Sequence, residues 1–223
     1  MPALIDLLHI GRQRTRSAAP NPGTDPARSR QADLVDLHLA LQERAGCVSL
    51  VGAPGSGKTL LAHVVLGWVP PSEGQIQFQG EPLPAGGLGP GQVGWVPTRT
   101  PEFGTRLSAL HARARQAAPS WDEGIWRVAC GDLELRRPGG ACNAAERARV
   151  ALGVACSSRP PLIWLDDPTR DLLAEERAEF DDVLRRVIER LDTTIVIAGR
   201  ADFVSAQQHW RLDAGRLTVE ARA

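Results

Sequence analysis

Lysine is nearly absent from this chain. Of 26 basic residues in 223, only Lys58 is lysine, and the rest are arginine. Charge of one sign is absent too: 26 acidic residues balance the 26 basic ones, and the pI is near 7.0. Such a balance excludes the electrostatic field of a nucleic-acid binder and the polybasic patch of a membrane-surface protein. No run approaches the eighteen or so apolar residues that cross a bilayer. The opening Ala3-Leu4-Ile5-Asp6-Leu7-Leu8 is too short and too acidic for a secretory signal. Cys47, Cys130, Cys142 and Cys156 form no C-x-x-C pair and no zinc spacing, which predicts buried or free thiols in a reducing cytosol. What remains is an ordinary apolar content of 43%, enough for one domain of generous size or a core domain with one insertion.

The single lysine stands in the most informative stretch of the chain, Gly52-Ala53-Pro54-Gly55-Ser56-Gly57-Lys58-Thr59-Leu60. An apolar run, Cys47 to Val51, precedes it, and a helical pattern through Leu66 follows. This is the G-x-x-x-x-G-K-[ST] pattern between a buried strand and a helix. Glycines permit positive φ and close approach of the backbone to an anion. The loop N–H groups then converge on phosphates at the positive end of the helix. Lys58 is predicted to reach the β- and γ-phosphates of ATP, and the Thr59 hydroxyl to ligate Mg²⁺. Arginine serves wherever a surface needs positive charge, but its planar fork does not replace a slim ammonium threaded between phosphates.

Ahead of this loop, Leu4 to Ile10 reads as an edge strand and residues 11–32, rich in Arg, Pro and Ser, as a flexible loop. Val35, Leu37, Leu39 and Leu41 alternate with polar residues as in a half-buried strand, with His38 on the solvent side. Behind the loop, Gln75 to Gln79 alternates as a strand that Gly80 ends. Ser120-Trp121-Asp122-Glu123 reads as a capping box, with Trp121 and Trp126 as packing residues. Leu162 to Leu165 makes a central buried strand whose carboxyl end carries Asp166 and Asp167. Phe180, Val183, Leu184, Val187, Ile188 and Leu191 mark one face of a helix. Thr194 to Ala198 is a further core strand, and Trp210 to Leu217 a hairpin.

The order of these features resembles the ATP-binding cassette (ABC) ATPases from about Leu34 to Glu220. The resemblance rests on Gly52 to Thr59, on Pro71-Ser72-Glu73-Gly74-Gln75-Ile76, and on Leu162 to Thr169. It implies an α/β P-loop NTPase core of the ABC type, with an antiparallel β edge layer and a small inserted α-helical subdomain. The core would comprise 1–98 and 158–223, and the helical subdomain with the signature helix about 99–157. Asp166 would hold the Mg²⁺ water shell, and Asp167 stands where the family carries the glutamate that polarises the attacking water. Aspartate is one methylene shorter, and a misplacement of about an ångström can cost roughly a hundredfold in rate.

The departures from the family carry as much weight as the matches. Thr98 occupies the glutamine-loop position, and its short hydroxyl is expected to miss the metal. Asn143, Ala144, Ala145 and Glu146 replace the signature that caps the ATP of the opposite subunit; two methyl groups and an added anion are expected to spoil it. Gly199 replaces the switch histidine. Arg200 beside it reads as a surface residue at a helix start, with a substitute charge as the alternative. His209 reads as ordinary packing. The resemblance thus implies an ATP-binding subunit that binds MgATP and hydrolyses it poorly, the degenerate half of a pair with a different ATPase chain. Its partners would be transmembrane permease subunits and no nucleic acid, and its place the cytoplasmic face of the membrane, held peripherally. A faint likeness to peptide and nickel importers adds a cargo lean. The alternatives are a fully active homodimeric transporter ATPase and a non-transport ATP-sensing regulator.

Overall fold

The computed structural model describes residues 3–12, 33–42, 46–100, 103–203 and 206–220. The chain opens with β1 (Ile5–Arg12), β2 (Leu34–Leu41) and β3 (Cys47–Val51), then α1 (Lys58–Val65). There follow β4 (Glu73–Phe78), β5 (Glu81–Pro82) and β6 (Val93–Val96), and the helices α2 (Leu107–Ala117), α3 (Glu123–Cys130) and α4 (Ala144–Ser157). The remainder alternates β7 (Leu162–Asp166), α5 (Ala174–Ile188) and β8 (Thr194–Gly199), and closes on the hairpin β9 (Gln208–Asp213) and β10 (Arg216–Glu220).

Two sheets result, in strand orders β2-β1-β4-β5 and β10-β9-β3-β8-β7-β6. The second is parallel from β9 to β6, and only β10 runs against its neighbour. Its central strands β3, β7 and β8 are buried on both faces, as a covered parallel sheet requires. Ile163, Leu165, Ile195 and Ile197 pack with α3, α4 and α5 on one side. Leu162, Trp164, Val196 and Ala198 pack with α1 and the four-stranded sheet on the other. Period-two alternation thus divides the interior into two cores with the sheet between them.

Several expectations shift. β1 is no edge strand: it lies between β2 and β4, antiparallel to both, and it continues through Gly11 and Arg12. Its length of apolar residues had no way of naming two partners. The rest of the expected flexible loop, 13–32, lies outside the described residues. In β2 the phase slips at Asp36, which adopts φ +45, so Leu34 is buried while Val35 faces solvent. An irregular register with β1 accompanies this, as in a bulge. The Ser120 to Glu123 capping box does not form. Asp122 caps α3 instead, accepting from the N–H groups of Gly124 and Ile125, while the Ser120 hydroxyl donates to the Ser158 carbonyl.

The closing hairpin turns through Ala214 (φ +45) and Gly215 (φ +80), a pair of left-handed residues suited to strand twist. At Gly215 a Cβ would lie 1.5 Å from the Asp33 carbonyl oxygen, so only glycine lets this turn touch the first sheet. All four cysteines are free and buried, and burial pushes the Cys47 and Cys130 thiols up to about 12. No helix among the described residues is long and apolar enough to cross a membrane.

Candidate functional site

The site sits where β3, β7 and β8 end side by side. β3 is buried along its whole length, and the loop that leaves it folds tightly. A Cβ on Gly52 would stand 2.4 Å from the Leu212 carbonyl oxygen and 2.5 Å from the Ser56 hydroxyl. Gly55 (φ +83) and Gly57 (φ +107) adopt the left-handed conformation that their spacing in the loop predicts. Gly57 starts α1 with no side-chain cap, and the first turn of that helix holds no acidic residue. An acid there would stabilise the helix but repel a phosphate. The first-turn N–H groups, which no helical partner can satisfy, are therefore left for an external acceptor.

Lys58 is 8% exposed, and its ammonium donates to the carbonyl oxygens of Gly52 (2.5 Å) and Ala53 (3.1 Å). Burial lowers its pKa; Asp167 and Asp166 act against that shift, and Arg200 and Arg170 add to it. The Ser56 hydroxyl is buried without a hydrogen-bond partner. A lysine folded onto carbonyls beside an orphaned hydroxyl is the arrangement expected of a cradle built for an anion.

Asp166 closes β7 and is 2% exposed. The Thr59 hydroxyl donates to its Oδ2 at 2.8 Å, and the Thr98 hydroxyl donates to the same oxygen at 2.6 Å. The expectation was that the short Thr98 hydroxyl falls short of the metal; it does reach Asp166, the carboxylate expected to hold the Mg²⁺ water shell. β6 is hydrogen-bonded beside β7, so the residue two places beyond β6 already stands next to the end of β7. No long side chain is needed to cross the gap. Two hydroxyls around one carboxylate make a hard oxygen set that suits Mg²⁺, which keeps several waters and takes few protein ligands. Mg²⁺ bound there would neutralise phosphate charge.

Asp167 takes φ +48, with its N–H bonded to the Ala198 carbonyl at 2.7 Å. Burial raises its pKa, against Arg200 and Lys58. Arg200 starts no helix among the described residues. Its Nε lies 3.9 Å from Asp167 Oδ2, at the end of a side chain 58% exposed. Gly199 ends β8 and offers only its carbonyl, which accepts from Gly52 N–H at 3.4 Å. The sequence reading passed over the second half of this loop. There Asp202 Oδ1 accepts from the Ser49 hydroxyl (3.3 Å) and lies 3.1 Å from His209 Nδ1, so His209 is a tether as well as a packing residue.

The segment at the start of α4 behaves differently from expectation. Asn143 and Glu146 form a reciprocal capping box, with both bonds at 2.8 Å. Glu146 is not a bare anion: Arg137 donates to its Oε1 at 2.6 Å and to the Ala141 carbonyl at 2.5 Å. Ala145 is buried in this chain's own core, and Ala144 is half-buried against the edge of the same cluster. A motif aligned by position carries no information about which way its side chains turn.

Comparison with known proteins agrees with this geometry. A family model described as ABC transporter matches residues 34–170. The chain belongs to the ABC transporter family. Among its relatives, the molybdenum import ATP-binding protein ModC of Brucella melitensis biotype 1 is 31% identical over 202 residues, 84% of this chain and 56% of the relative. The sulfate/thiosulfate import ATP-binding protein CysA of Bacillus cereus is 30% identical over 200 residues, 83% and 54% of the two chains. This ABC family member spans about half the length of the curated relatives it matches. Its fold is that of cbiO1 from Clostridium perfringens, part of the ABC transporter complex cbiONQ. That likeness has a TM-score of 0.71 at 17% identity and covers 98% of this chain and 88% of that one. A second solved structure, an ATP-binding subunit of an ABC transporter, superposes with a TM-score of 0.72 at 16% identity, covering 98% and 90%.

Proposed function

We propose that this chain is the ATP-binding subunit of an ABC transporter, binding MgATP through Gly52 to Leu60, Thr59 and Asp166. The observation that carries this reading is the convergence of Thr59 and Thr98 on Asp166 beside the buried ammonium of Lys58. Transmembrane permease subunits and a second, different ATPase chain complete the assembly, with this chain held peripherally at the cytoplasmic face. The helices α2, α3 and α4 serve as the inserted subdomain, about 99–157, on a core of 1–98 and 158–223. Relatives named for molybdenum and sulfate import support the import direction. Nothing in the geometry of the site favours a peptide or nickel cargo.

Within that assembly the chain holds MgATP and the pair stays closed, while hydrolysis at its own site is slow. What supports this is Asp167 in place of glutamate, 3.9 Å from Arg200, and a start of α4 where Asn143 and Glu146 are occupied with each other and with Arg137. A second reading, a competent homodimeric ATPase, is favoured by Thr98 reaching Asp166 and by Arg137 neutralising Glu146. Multiple-turnover hydrolysis by the purified chain supports that second reading, and its absence the first.

The lone lysine gives a direct test of binding. An acyl-phosphate analogue of ATP that acylates amines should mark Lys58 and no other side chain, and excess MgATP should protect it. Labelling that MgATP leaves unchanged would refute the nucleotide site.

A further inference from the structure

The phosphate loop is not held by its own neighbours alone. β9 runs parallel beside β3, with Trp210 opposite Leu50 and Arg211 opposite Val51. The end of β9 therefore passes along the loop, where the Leu212 carbonyl already excludes a Cβ from Gly52. The hairpin turn that follows reaches Ser56, and the Gly215 N–H donates to the Ser56 carbonyl at 3.2 Å. The other side of Gly215 is fixed by the first sheet. Its carbonyl accepts from the Val35 N–H at 3.1 Å, and its φ of +80 and its contact with the Asp33 carbonyl admit no side chain. Gly215 is thus wedged between the start of β2 and the phosphate loop.

What this bond does follows from the geometry of one peptide unit. A trans peptide is planar, and its carbonyl and N–H point in opposite directions. Holding the Ser56 carbonyl against the hairpin therefore aims the Gly57 N–H the other way. That N–H has no acceptor among the described residues, and neither have those of Lys58 and Thr59. The first bond of α1 runs from the Leu61 N–H to the Gly57 carbonyl at 2.7 Å, so the Ser56 carbonyl takes no part in the helix. Gly57 itself, at φ +107, has a permissive backbone that does not fix the orientation from within. Turned over, the same peptide would offer an anion its carbonyl oxygen in place of a donor.

We propose that Gly215 is a positioning residue for the nucleotide: it holds the Ser56 carbonyl and so turns the Gly57 N–H towards the phosphates. The inference rests on the nucleotide-binding reading of the phosphate loop. Gly215 touches no phosphate and acts only through the Ser56–Gly57 peptide. β2 braces it through Val35, which makes the first sheet part of the binding apparatus.

The test uses the full chain, isotope-labelled for NMR, as wild type, Gly215→Ala and Gly87→Ala. Gly87 is a matched control: its φ is also +80, and a Cβ there would lie 2.4 Å from the Leu66 carbonyl oxygen, but it has no bond to the phosphate loop. Both variants should melt below wild type. Only Gly215→Ala should lose affinity for a non-hydrolysable ATP analogue with Mg²⁺, by roughly tenfold, the loss of one charge-assisted hydrogen bond. In wild type the Gly57 amide proton should move downfield on binding. In Gly215→Ala that movement should vanish while the Thr59 amide keeps its own. Should Gly215→Ala fail to fold, glycolic acid at position 215, introduced by ligating a synthetic C-terminal segment, removes the N–H and adds no side chain. The same loss and the same silent Gly57 amide are expected of it. Unchanged affinity, or a Gly57 amide that still moves, would overturn the proposal. An equal affinity loss in Gly87→Ala would overturn it too, because strain alone would then explain the effect. Wild type without affinity for the analogue would sink the phosphate-loop reading itself, whereas wild type that binds with an unmoved Gly57 amide would sink only the role of Gly215.

Discussion

Two helix starts in this molecule face opposite tasks. At the start of α1 the polar groups are left wanting: no side chain caps the helix, Ser56 has no partner, and Lys58 settles for loop carbonyls. At the start of α4 the helix cap and its anion are answered from within the chain, although Arg147 Nε behind them is buried without a partner. Asn143 and Glu146 cap each other, Arg137 pairs with Glu146, and Ala145 sinks into the core with Ala144 half-buried at its edge. A bound anion would satisfy the first end, whereas the cap of the second is already closed by Asn143, Glu146 and Arg137. An unsatisfied buried donor is a standing cost, and its persistence beside Lys58 argues for a ligand there.

The difference can be broken at either end. The largest effect is expected for Lys58→Ala, which removes the buried ammonium from the cradle. Affinity for MgATP should fall by roughly a hundredfold, the upper range for hydrogen bonds to a charged group, as measured by titration calorimetry. Retained affinity would mean that the loop amides suffice alone. Thr98→Val comes next. It keeps the shape of the side chain and removes one of the two hydroxyls on Asp166, so the Mg²⁺-dependent part of nucleotide affinity should fall by roughly tenfold. Affinity without Mg²⁺ should stay put, and a loss that ignores the metal would return Thr98 to a structural role.

Changes at the other helix should register as stability. Arg137→Ala leaves Glu146, whose side chain is 18% exposed, without its cation. Discounted for screening at a pair open to solvent, the cost is about 1 kcal/mol, or a Tm lower by roughly 2–4 °C for a domain of this size. MgATP affinity of the chain should not move; if it does, the two helix starts are coupled. The smallest effect concerns Asp167, whose pKa burial raises above the ordinary 3.8. A folded carboxyl pKa above the unfolded one means stability that is fully present below about 3.8 and is lost as pH rises through the folded value. At neutral pH the carboxylate therefore costs stability, and Asp167→Asn should raise Tm there. That gain should shrink as pH falls through the raised pKa, and a gain independent of pH would refute the shift.

Much of the phosphate-loop side was legible because its information is local. A glycine that must take positive φ, a lone lysine behind it and an apolar run ending in Asp166 each state their requirement within a few residues. The Thr98–Asp166 bond was not legible because that distance depends on which strand lies beside β7, and a short hydroxyl counts only once β6 is placed there. Glu146 was misjudged for a related reason. Its cation, Arg137, comes from the turn before the helix, and charge at a position says nothing about what already neutralises it. Arg200 was assigned to a helix start because its place opposite Asp167 follows only from the pairing of β7 with β8.

The sequence by itself determined the alternation of strands and helices, the family, and the residues able to cradle a phosphate. Those follow from backbone freedom, side-chain period and the chemistry of single residues. Only the tertiary structure decided which hydroxyls share Asp166, which guanidinium faces Asp167, and which helix start is already satisfied. Such contacts join strands and loops far apart in the chain, and their energies depend on distance and burial that no linear order contains.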